Sequence, residues 1–329
     1  MQNIVQFKKE LFSVSQETFA NKALSLFRYQ ALKNSVYKEF LQYLDISAGS
    51  VTRIEDIPFL PIELFKSKKI ITGDIDTEFY FESSGTTSAV NSRHYVYDVE
   101  LYKESIIHCF RYFFGDVKNY HILALLPSYL ERPHASLVYM CRELMQQSGN
   151  TQNGFYLDDL EGLQKILIHN ERNTIPTILI GVTFALLDLA ERFPMVIPNT
   201  IIMETGGMKG KREEITRVEL HSILNNVFKT KNIYSEYGMT ELLSQAYSKG
   251  NGIFNTPAWM KMIIRDVEDP LSILPNGKTG CINIIDLANV HSCAFIATQD
   301  LGKIYADGSF EVLGRYDKSD ARGCNLMIE

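Results

Sequence analysis

Cysteine is scarce and unpatterned in this chain, which excludes two common ways of building a small scaffold. The 329 residues include 5 cysteines, with no Cys-x-x-Cys pair and no zinc-finger spacing among them. An odd, dispersed set in a chain of this length is typical of a reducing compartment. The sequence therefore predicts neither a disulfide framework nor a structural zinc site, and it favours the cytoplasm.

Long apolar runs and an excess of positive charge are also missing. The longest apolar runs, such as 177–187, are well short of the roughly 20 residues that span a bilayer. The N-terminus, Met1-Gln2-Asn3-Ile4, lacks the basic region and apolar core of a secretory signal. The formal net charge of −6 argues against a nucleic-acid surface. We expect no membrane insertion and no nucleic-acid partner.

What is present is an alternation of apolar strands and amphipathic helices, typical of an α/β fold with a largely parallel sheet. An N-terminal helical segment, with apolar residues at helical spacing from about Gln16 to Leu44, precedes it. After about Gln245 short predicted strands, among them 294–298 and 302–305, alternate with turns such as Pro275-Asn276-Gly277. We predict an α/β domain over 1–245, including a helical segment over 1–56, and a β-rich subdomain over 246–329. The strand predictions of the first part are His121–Leu126, Thr177–Gly181, Thr200–Glu204 and Asn232–Glu236, and the helix predictions are Val99–Phe114, Ser136–Ser148, Leu160–His169, Phe184–Phe193 and Lys211–Phe228.

A hydroxyl-rich loop follows the apolar segment Phe79-Tyr80-Phe81. Small residues and glycine let backbone N–H groups and hydroxyls surround phosphate oxygens without steric conflict. It is not a P-loop, because no Gly-Lys-Ser/Thr follows. The pattern fits a phosphate-binding loop and equally a plain surface loop. Its residues are Ser83, Ser84, Gly85, Thr86 and Thr87.

Three further segments follow predicted strands or lie in turns. Thr205-Gly206-Gly207 is a place where a flat ligand approaches the backbone of an α/β sheet. Tyr237-Gly238-Met239-Thr240-Glu241 offers an aromatic ring for a purine and an acid for Mg²⁺. Asp300 is able to accept from two ribose hydroxyls, and Arg315 to pair with phosphate or ribose oxygens. Taken singly, each fits a tight turn or, at Thr240, a helix cap.

Cys324 lies close to the C-terminal residue, in Arg322-Gly323-Cys324-Asn325. Arg322 would favour the thiolate, and Gly323 would allow close approach to an electrophile. The alternative is an incidental small apolar side chain. The local pattern leaves both interpretations open.

The succession Ser-Ser-Gly-Thr-Thr, Thr-Gly-Gly, Tyr-Gly-Met-Thr-Glu, Asp-Leu-Gly and Gly-Arg resembles the adenylate-forming superfamily of acyl-CoA synthetases. More narrowly, the chain from about Ile57 to its end is similar to the acyl-protein synthetase (LuxE-type) family. The narrower similarity is carried by Ser92-Arg93 after the hydroxyl loop, 126–132, 205–210 and the ending from Gly314-Arg315 to Cys324. The resemblance implies the α/β N-terminal-type fold of adenylate-forming enzymes with a smaller β-rich subdomain.

The resemblance also assigns roles by position. It implies that Ser83, Ser84, Gly85, Thr86 and Thr87 bind phosphate, that Gly206 and Gly207 line the adenine, and that Tyr237 and Gly238 flank the base. Thr240 and Glu241 match the residues that contact the α-phosphate and Mg²⁺. Asp300 matches the ribose-binding aspartate, Arg315 the nearby nucleotide-binding arginine, and Cys324 the cysteine that becomes acylated.

Two departures from the superfamily pattern affect the expectations. The phosphate loop usually continues Gly-x-Pro-Lys, whereas this chain has Ser88-Ala89-Val90-Asn91, with Arg93 as the nearest cation and candidate substitute. Most members carry a further lid domain of about a hundred residues, a size usual for a small domain. The chain ends near where that lid would begin, so we expect it to be absent and the tail cysteine to take over as acceptor.

The function implied is ATP- and Mg²⁺-dependent activation of a carboxylic acid, by inheritance a fatty acid. The acyl-adenylate would pass its acyl group to Cys324 as a thioester, for delivery to an acyl-CoA reductase-like partner. One alternative is a ligase that acylates coenzyme A or a carrier protein and leaves Cys324 unused. Another is a degenerate member that binds a nucleotide without catalysis.

Overall fold

The computed structural model describes residues 4–83, 90–127, 133–157, 159–206 and 215–316. The predicted phosphate loop from Ser84 to Thr87, Gly207, and the tail with Cys324 lie outside these ranges. Eight α-helices occur within them: α1 Ile4–Glu10, α2 Gln16–Lys33, α3 Ser35–Tyr43, α4 Val99–Phe114, α5 Ser136–Ser148, α6 Leu160–Arg172, α7 Thr183–Arg192 and α8 Arg217–Phe228.

Fourteen strands occur in the same residues. They are β1 Leu60–Pro61, β2 Tyr80–Glu82, β3 Arg93–Tyr95, β4 His121–Leu125, β5 Gly154–Tyr156, β6 Thr177–Gly181, β7 Ile201–Glu204, β8 Tyr234–Tyr237, β9 Ala246–Ser248, β10 Ile253–Asn255, β11 Met260–Arg265, β12 Thr279–Asp286, β13 Phe295–Ile304 and β14 Phe310–Arg315.

Twelve of these strands form one mixed sheet. Its order is β11-β12-β13-β14-β10-β9-β8-β7-β6-β4-β5, with β1 pairing parallel to β13 at one side. Strands β5, β4, β6, β7 and β8 pair in parallel, and from β8 to β9 onward the pairing is antiparallel. The predicted α/β fold is confirmed, and the sheet is parallel over β4–β8 in the first part of the chain. The boundary predicted at 245/246 coincides with the change of pairing, although the strands continue in the same sheet.

The parallel strands are buried because helices cover them. β6 is buried along its whole length, and His121 is the one residue of β4 that is not fully buried. A strand covered on both faces reads as a continuous apolar run, and Ile-Leu-Ile in β6 is such a run. Predicted bounds for α4, α5 and β6 agree with the structure, since their apolar patterns coincide with their ends.

The segment from about Gln16 to Leu44 is helical as predicted, but it consists of two helices, α2 and α3, that meet at Asn34. Asn34 has extended backbone angles, and its side chain accepts a hydrogen bond from Tyr37 N at 3.0 Å, which makes it the N-cap of α3. The same side chain donates to Ser292 O at 3.1 Å. Apolar spacing continues across Asn34, so periodicity alone does not reveal the break.

A similar difference affects the antiparallel strands. The segments predicted as two strands, 294–298 and 302–305, are one strand, β13, with a β-bulge where it pairs with β14. Asp300 pairs with Arg315 on one side of the bulge and Gly302 with Val312 on the other. A side chain on Gly302 would begin 2.6 Å from Glu311 O, so glycine allows the close approach of the two strands.

Gln30 of α2 joins the N-terminal helices to the loop after β12. Its fully buried amide donates to the carbonyl oxygens of Asn289 (2.8 Å), Val290 and Ser292 and accepts from Ala294 N at 2.9 Å. Asn289 in turn donates to Glu241 O at 2.9 Å. In the described part of the chain no helix has the length and apolar character of a membrane span.

Replacing Gln30 by alanine should lower the free energy of unfolding by roughly 1–3 kcal/mol, because buried carbonyl and amide groups of the 289–294 loop lose their partner. The exposed Gln42→Ala in α3 is the matched control and should change it by less than about 0.5 kcal/mol. Urea unfolding of both variants checks this. Equal effects at the two positions would contradict the anchoring role of Gln30.

Candidate active site

The sequence-predicted site residues that the structure describes come from four places: the β2–β3 hairpin, the ends of β7 and β8, and the β13–β14 pair. In α/β sheets, ligands bind beyond the carboxyl ends of the parallel strands, where chain segments leave the sheet. The segments after β7 and β8 begin at Thr205 and Gly238. The other two places are brought to the segment after β8 by specific hydrogen bonds.

The first of these bonds joins the start of the hydroxyl loop to Glu241. Ser83 N donates to Ser92 O and Ser92 N donates to Ser83 Oγ, both at 3.0 Å, which closes the base of the loop. Ser92 Oγ donates to Glu241 Oε1. The sequence prediction did not include Ser92 among the site residues, although it lies in the family-like pair Ser92-Arg93.

Glu241 is a buried carboxylate, 5% exposed. Burial raises its pKa, and the hydrogen bond from Ser92 and the charge of Arg315 only partly oppose this. The backbone beside it is fixed, because His94 Nδ1 contacts Thr240 O at 2.9 Å. Residues 238–245 form turns and bends rather than a helix, so Thr240 caps no helix.

A Mg²⁺ ion at this position would have few protein ligands. The residues described hold no group of three or more His, Cys, Asp or Glu side chains suited to a metal. Mg²⁺ in phosphate-binding sites is commonly held by one or two carboxylates, with phosphates and water completing the shell. Glu241, with the Ser92 hydroxyl bonded to it, fits that donor set.

The second link joins Tyr237 to Asp300. Tyr237 Oη donates to Asp300 Oδ2 at 2.7 Å, and its ring packs edge-on against Phe254 and Phe310. Burial raises the pKa of Asp300, against the opposing effects of the Tyr237 bond and the Arg315 charge. Within the described residues, Asp300 Oδ1 accepts no hydrogen bond, so this oxygen is available to a ligand hydroxyl.

Asp286 holds the whole segment after Glu241 in place. Its carboxylate is fully buried and accepts from Leu243 N and Ser244 N (2.9 Å each), Ala288 N (3.1 Å) and Ser244 Oγ (2.6 Å). Burial raises its pKa although these four bonds lower it. Trp259 Nε1 donates to Ser244 Oγ at 2.9 Å and completes the cluster.

The turn after β7 contains Gly206 at a positive φ of 72°, a conformation that favours glycine. Gly206 N donates to Glu204 Oε2 at 2.7 Å. Glu204 is buried, which opposes its ionisation, but the contacts with His221 and Arg217 (Nε–Oε1 3.1 Å) outweigh burial and lower its pKa. The ion-paired Glu204 carboxylate thus holds the Thr205-Gly206 turn in place through its hydrogen bond from Gly206 N.

Arg93, the candidate substitute for the loop lysine, lies on β3 opposite Glu82 of β2. Its Nε donates to Glu82 Oε1 at 3.0 Å, and its guanidinium lies 4.9 Å from the Tyr80 ring centre. The bond to Glu82 raises the Arg93 pKa further. The side chain remains half exposed at 50%, so its catalytic role stays a prediction.

A small cavity lies beside the site, and the sequence prediction did not include Glu236 in its lining among the site residues. Its volume is about 160 Å³, and it is lined by Glu82, Tyr102, Ala135, Ser136, Leu137, Met140, Thr205, Glu236, Gly238, Met239, Thr240 and Gln245. Burial, and secondarily the nearby charge of Glu204, raises the pKa of Glu236 to about 8. In the sequence, Glu236 is recognisable only as an acidic residue in a predicted strand, directly before the Tyr237-Gly238 motif.

The described cysteines are poor nucleophiles. Cys109, Cys141, Cys281 and Cys293 are all buried. Burial raises the pKa of the Cys109 and Cys293 thiols to about 12, and it raises the pKa of Cys141 as well. A thiolate is the reactive form of cysteine, so these three are inert near neutral pH. Cys324 lies outside the described residues.

Comparison with known proteins supports the resemblance found in the sequence. Residues 166–329 match the family model of LuxE, acyl-protein synthetase, which confirms the similarity to that family for the C-terminal half of the chain. No curated protein sequence matches the chain.

Solved structures show the fold of adenylate-forming enzymes. ATP-bound MatB from Rhodopseudomonas palustris has a TM-score of 0.54 and 14% identity, over 73% of this chain and 49% of that one. A long-chain-fatty-acid-CoA ligase, FadD1 from Archaeoglobus fulgidus, has a TM-score of 0.52 and 14% identity, over 72% and 51%. A 2-hydroxyisobutyryl-CoA ligase in an open conformation has a TM-score of 0.63 and 11% identity, over 92% and 70%. The chain spans about half the length of the first of these structures.

The raised pKa of Glu236 predicts how stability depends on pH. Between the ordinary value of 4.5 and about 8, the native carboxyl keeps a proton that the unfolded chain releases, so its contribution to stability falls as pH rises. Glu236→Gln should remove this part of the slope, which is at most about 1.4 kcal/mol per pH unit. Both the variant and the unmodified chain contain the other titratable groups near Glu236, so these groups contribute to the slope in both. They are Glu82, Tyr102, Cys109, Cys141, Glu204 and Tyr247.

The measurement is urea unfolding of both proteins at intervals from pH 5 to pH 8. Glu104→Gln, on the exposed face of α4, controls for the loss of a carboxylate elsewhere. The stability difference between Glu236→Gln and the unmodified chain should grow steadily with pH in favour of the variant. A difference that is independent of pH would show that Glu236 titrates normally.

Proposed function

We propose that this chain, similar to LuxE acyl-protein synthetases over residues 166–329, activates a carboxylic acid with ATP and then carries the acyl group on Cys324. The observation that carries the proposal is the convergence of Tyr237–Asp300 and Ser92–Glu241 on the segment after β8. One pair offers a ring and a carboxylate oxygen suited to a nucleoside. The other offers a carboxylate and a hydroxyl suited to phosphates and their metal.

Fold similarity supports the choice of ATP. MatB was solved with ATP bound, and the 2-hydroxyisobutyryl-CoA ligase was solved with 2-HIB-AMP and CoA. In this chain Asp300 Oδ1 would accept from a ribose hydroxyl, and the nearby Arg315 would pair with ribose or phosphate oxygens. Glu241 would hold Mg²⁺, which supplies charge stabilisation on the phosphates when bound.

The first chemical step is an in-line substitution at phosphorus. A carboxylate oxygen of the acid attacks the α-phosphorus of ATP, and the bond from that phosphorus to the bridging β-phosphate oxygen breaks. Pyrophosphate leaves with the electron pair, and an acyl-adenylate remains. The hydroxyls at the base of the loop, Ser83 and Ser92, and the Thr240 segment would stabilise the charge that develops there.

The second step transfers the acyl group to sulfur. The Cys324 thiolate attacks the acyl carbonyl carbon, a C–S bond forms, and AMP leaves as the C–O bond of the mixed anhydride breaks. Buried thiols of high pKa elsewhere in the described residues leave Cys324 as the best acceptor in the chain. An acyl reductase would take the thioester onward. The resemblance implies a fatty acid as substrate. The size and the lining of the cavity beside Thr240 are a second source of information on which acids bind.

Adenylation predicts acid-dependent exchange of labelled pyrophosphate into ATP. Asp300→Asn should slow this exchange by about 10- to 100-fold, because a charge-assisted hydrogen bond to the ribose is weakened. Asp307→Asn, in the turn between β13 and β14, is the matched control and should retain exchange. Nucleotide binding without exchange for any acid would favour a non-catalytic nucleotide-binding protein.

Self-acylation predicts that labelled acid and ATP leave a hydroxylamine-labile label on the protein. Cys324→Ala should abolish this label, whereas Ser319→Ala in the same tail should keep it. The check is denaturing gel autoradiography before and after hydroxylamine treatment. Label that forms only on added coenzyme A or carrier protein would reject self-acylation and favour a ligase with an external acceptor.

A further inference from the structure

The cavity beside Thr240 lies on the other side of β8 from the Tyr237–Asp300 pair. Successive side chains of a strand point to opposite faces, so Glu236 and Tyr237 diverge. Tyr237 contacts Asp300 and Phe310, whereas Glu236 lies near Tyr102 and Cys109 of α4 and Cys141 of α5. If the nucleoside occupies the Asp300 side, the cavity on the Glu236 side is left for the acid.

Two hydrogen-bond acceptors in this cavity have no partner in the described residues. Gln245 is 4% exposed and its Oε1 accepts no hydrogen bond, while its Nε2 donates weakly to Leu243 O at 3.5 Å. Glu236 is half-buried, and its carboxyl, which lines the same cavity, shows no hydrogen bond to any described residue. A buried polar group is normally paired, so the unpaired Gln245 Oε1 points to a ligand that donates, and a Glu236 oxygen is able to accept beside it.

The Glu236 carboxyl and the Gln245 side chain both lie next to Gly238. A methyl group built on Gly238 would lie 2.3 Å from Glu236 Oε1 and 3.7 Å from Gln245 Cγ. The carboxylate therefore folds over the Gly238 backbone, next to the Gln245 side chain, and the absence of a side chain at Gly238 makes room for it.

The acidic residues around the cavity favour a ligand group that donates a hydrogen bond, and this group is allowed to carry a positive charge. Glu82 lines the cavity and Glu204 acts electrostatically on Glu236, while no lysine or arginine is found among its described lining residues. Tyr102, Leu137 and Met140 provide an apolar wall. The cavity also reaches Gly238 and Thr240, where the acid's own carboxylate would meet the α-phosphate.

We propose that the acid is short and carries a hydrogen-bond donor, an amino or hydroxyl group, at the end away from its carboxylate. The donor binds Glu236 and Gln245, the intervening methylenes pack on Tyr102 and Met140, and the carboxylate lies at Thr240. The inference rests on the proposed function and narrows its substrate. A plain fatty acid would leave the buried Gln245 Oε1 unpaired, and a long chain would extend beyond this cavity of about 160 Å³.

The test compares three acids that have the same number of non-hydrogen atoms: 4-aminobutanoate, 4-hydroxybutanoate and pentanoate, with dodecanoate as a fatty acid. Binding to the full chain is measured by calorimetry, in two buffers of different ionisation enthalpy. Glu236→Met removes the acceptor at similar volume, and Glu104→Met on the exposed face of α4 is its control. Pyrophosphate exchange is measured with the same acids.

A donor-bearing acid should bind about tenfold more tightly than pentanoate, a preference that Glu236→Met removes and Glu104→Met keeps. Tighter binding of the amine, with proton release from Glu236, would identify an ammonium as the donor. Tighter binding of 4-hydroxybutanoate would identify a hydroxyl. Equal or tighter binding of pentanoate or dodecanoate, or a preference that survives Glu236→Met, would overturn the inference.

The exchange assay separates this inference from the proposed function. Binding that depends on the donor and on Glu236, without exchange, leaves the cavity assignment standing and rejects adenylation. Exchange with dodecanoate and no preference for a donor rejects the cavity assignment and leaves adenylation standing.

Discussion

The candidate site depends on one buried carboxylate that belongs to none of the recognisable motifs. Asp286 accepts four hydrogen bonds from the segments after Glu241 and after β12, and it is fully enclosed. A loop without regular structure has backbone N–H groups that need partners, and Asp286 supplies them. These hydrogen bonds fix the segment that follows Glu241. The backbone of Glu241 itself is held by Asn289, which donates to Glu241 O and accepts from Gln30 of α2.

The fold was predictable where local pattern and burial agree. β6 and α4 are read directly from an apolar run and a helical period because the sheet buries the first and Asp98 caps the second. Asn34 was missed as a break since its partners, Ser292 and Thr72, are distant in the chain. The continuity of β13 was missed for a comparable reason, because the bulge beside Asp300 depends on how β14 pairs with it.

The site was partly predictable for a different reason. Tyr237, Glu241 and Asp300 stand in recognisable motifs, but their contacts depend on how the sheet brings distant segments together. The hydrogen bond between Tyr237 and Asp300 joins residues 63 positions apart, and the one between Ser92 and Glu241 joins residues 149 positions apart. Gln245 stands out in no pattern, and Glu236 is marked only by its place directly before the Tyr-Gly motif. Their significance comes from lining one cavity without hydrogen-bond partners for Gln245 Oε1 or the Glu236 carboxyl among the described residues, an arrangement that depends on the packing of α4 and α5 on β8.

The alternation of side chains along β8 links these observations. A strand at the point where parallel pairing gives way to antiparallel pairing has one face toward the β13–β14 pair and the other toward α4 and α5. Tyr237 lies on the first side and Glu236 on the second, and the chain then continues as Gly238 into Thr240 and Glu241. A nucleotide at the Tyr237–Asp300 side and an acid in the cavity on the Glu236 side would meet where the strand ends, because that cavity reaches Gly238 and Thr240 of the turn that follows it. If the inference on the substrate is right, the cost of keeping an acid without hydrogen-bond partners at Glu236 is the cost of recognising a polar acid, since an apolar residue at this half-buried position would otherwise be more stable.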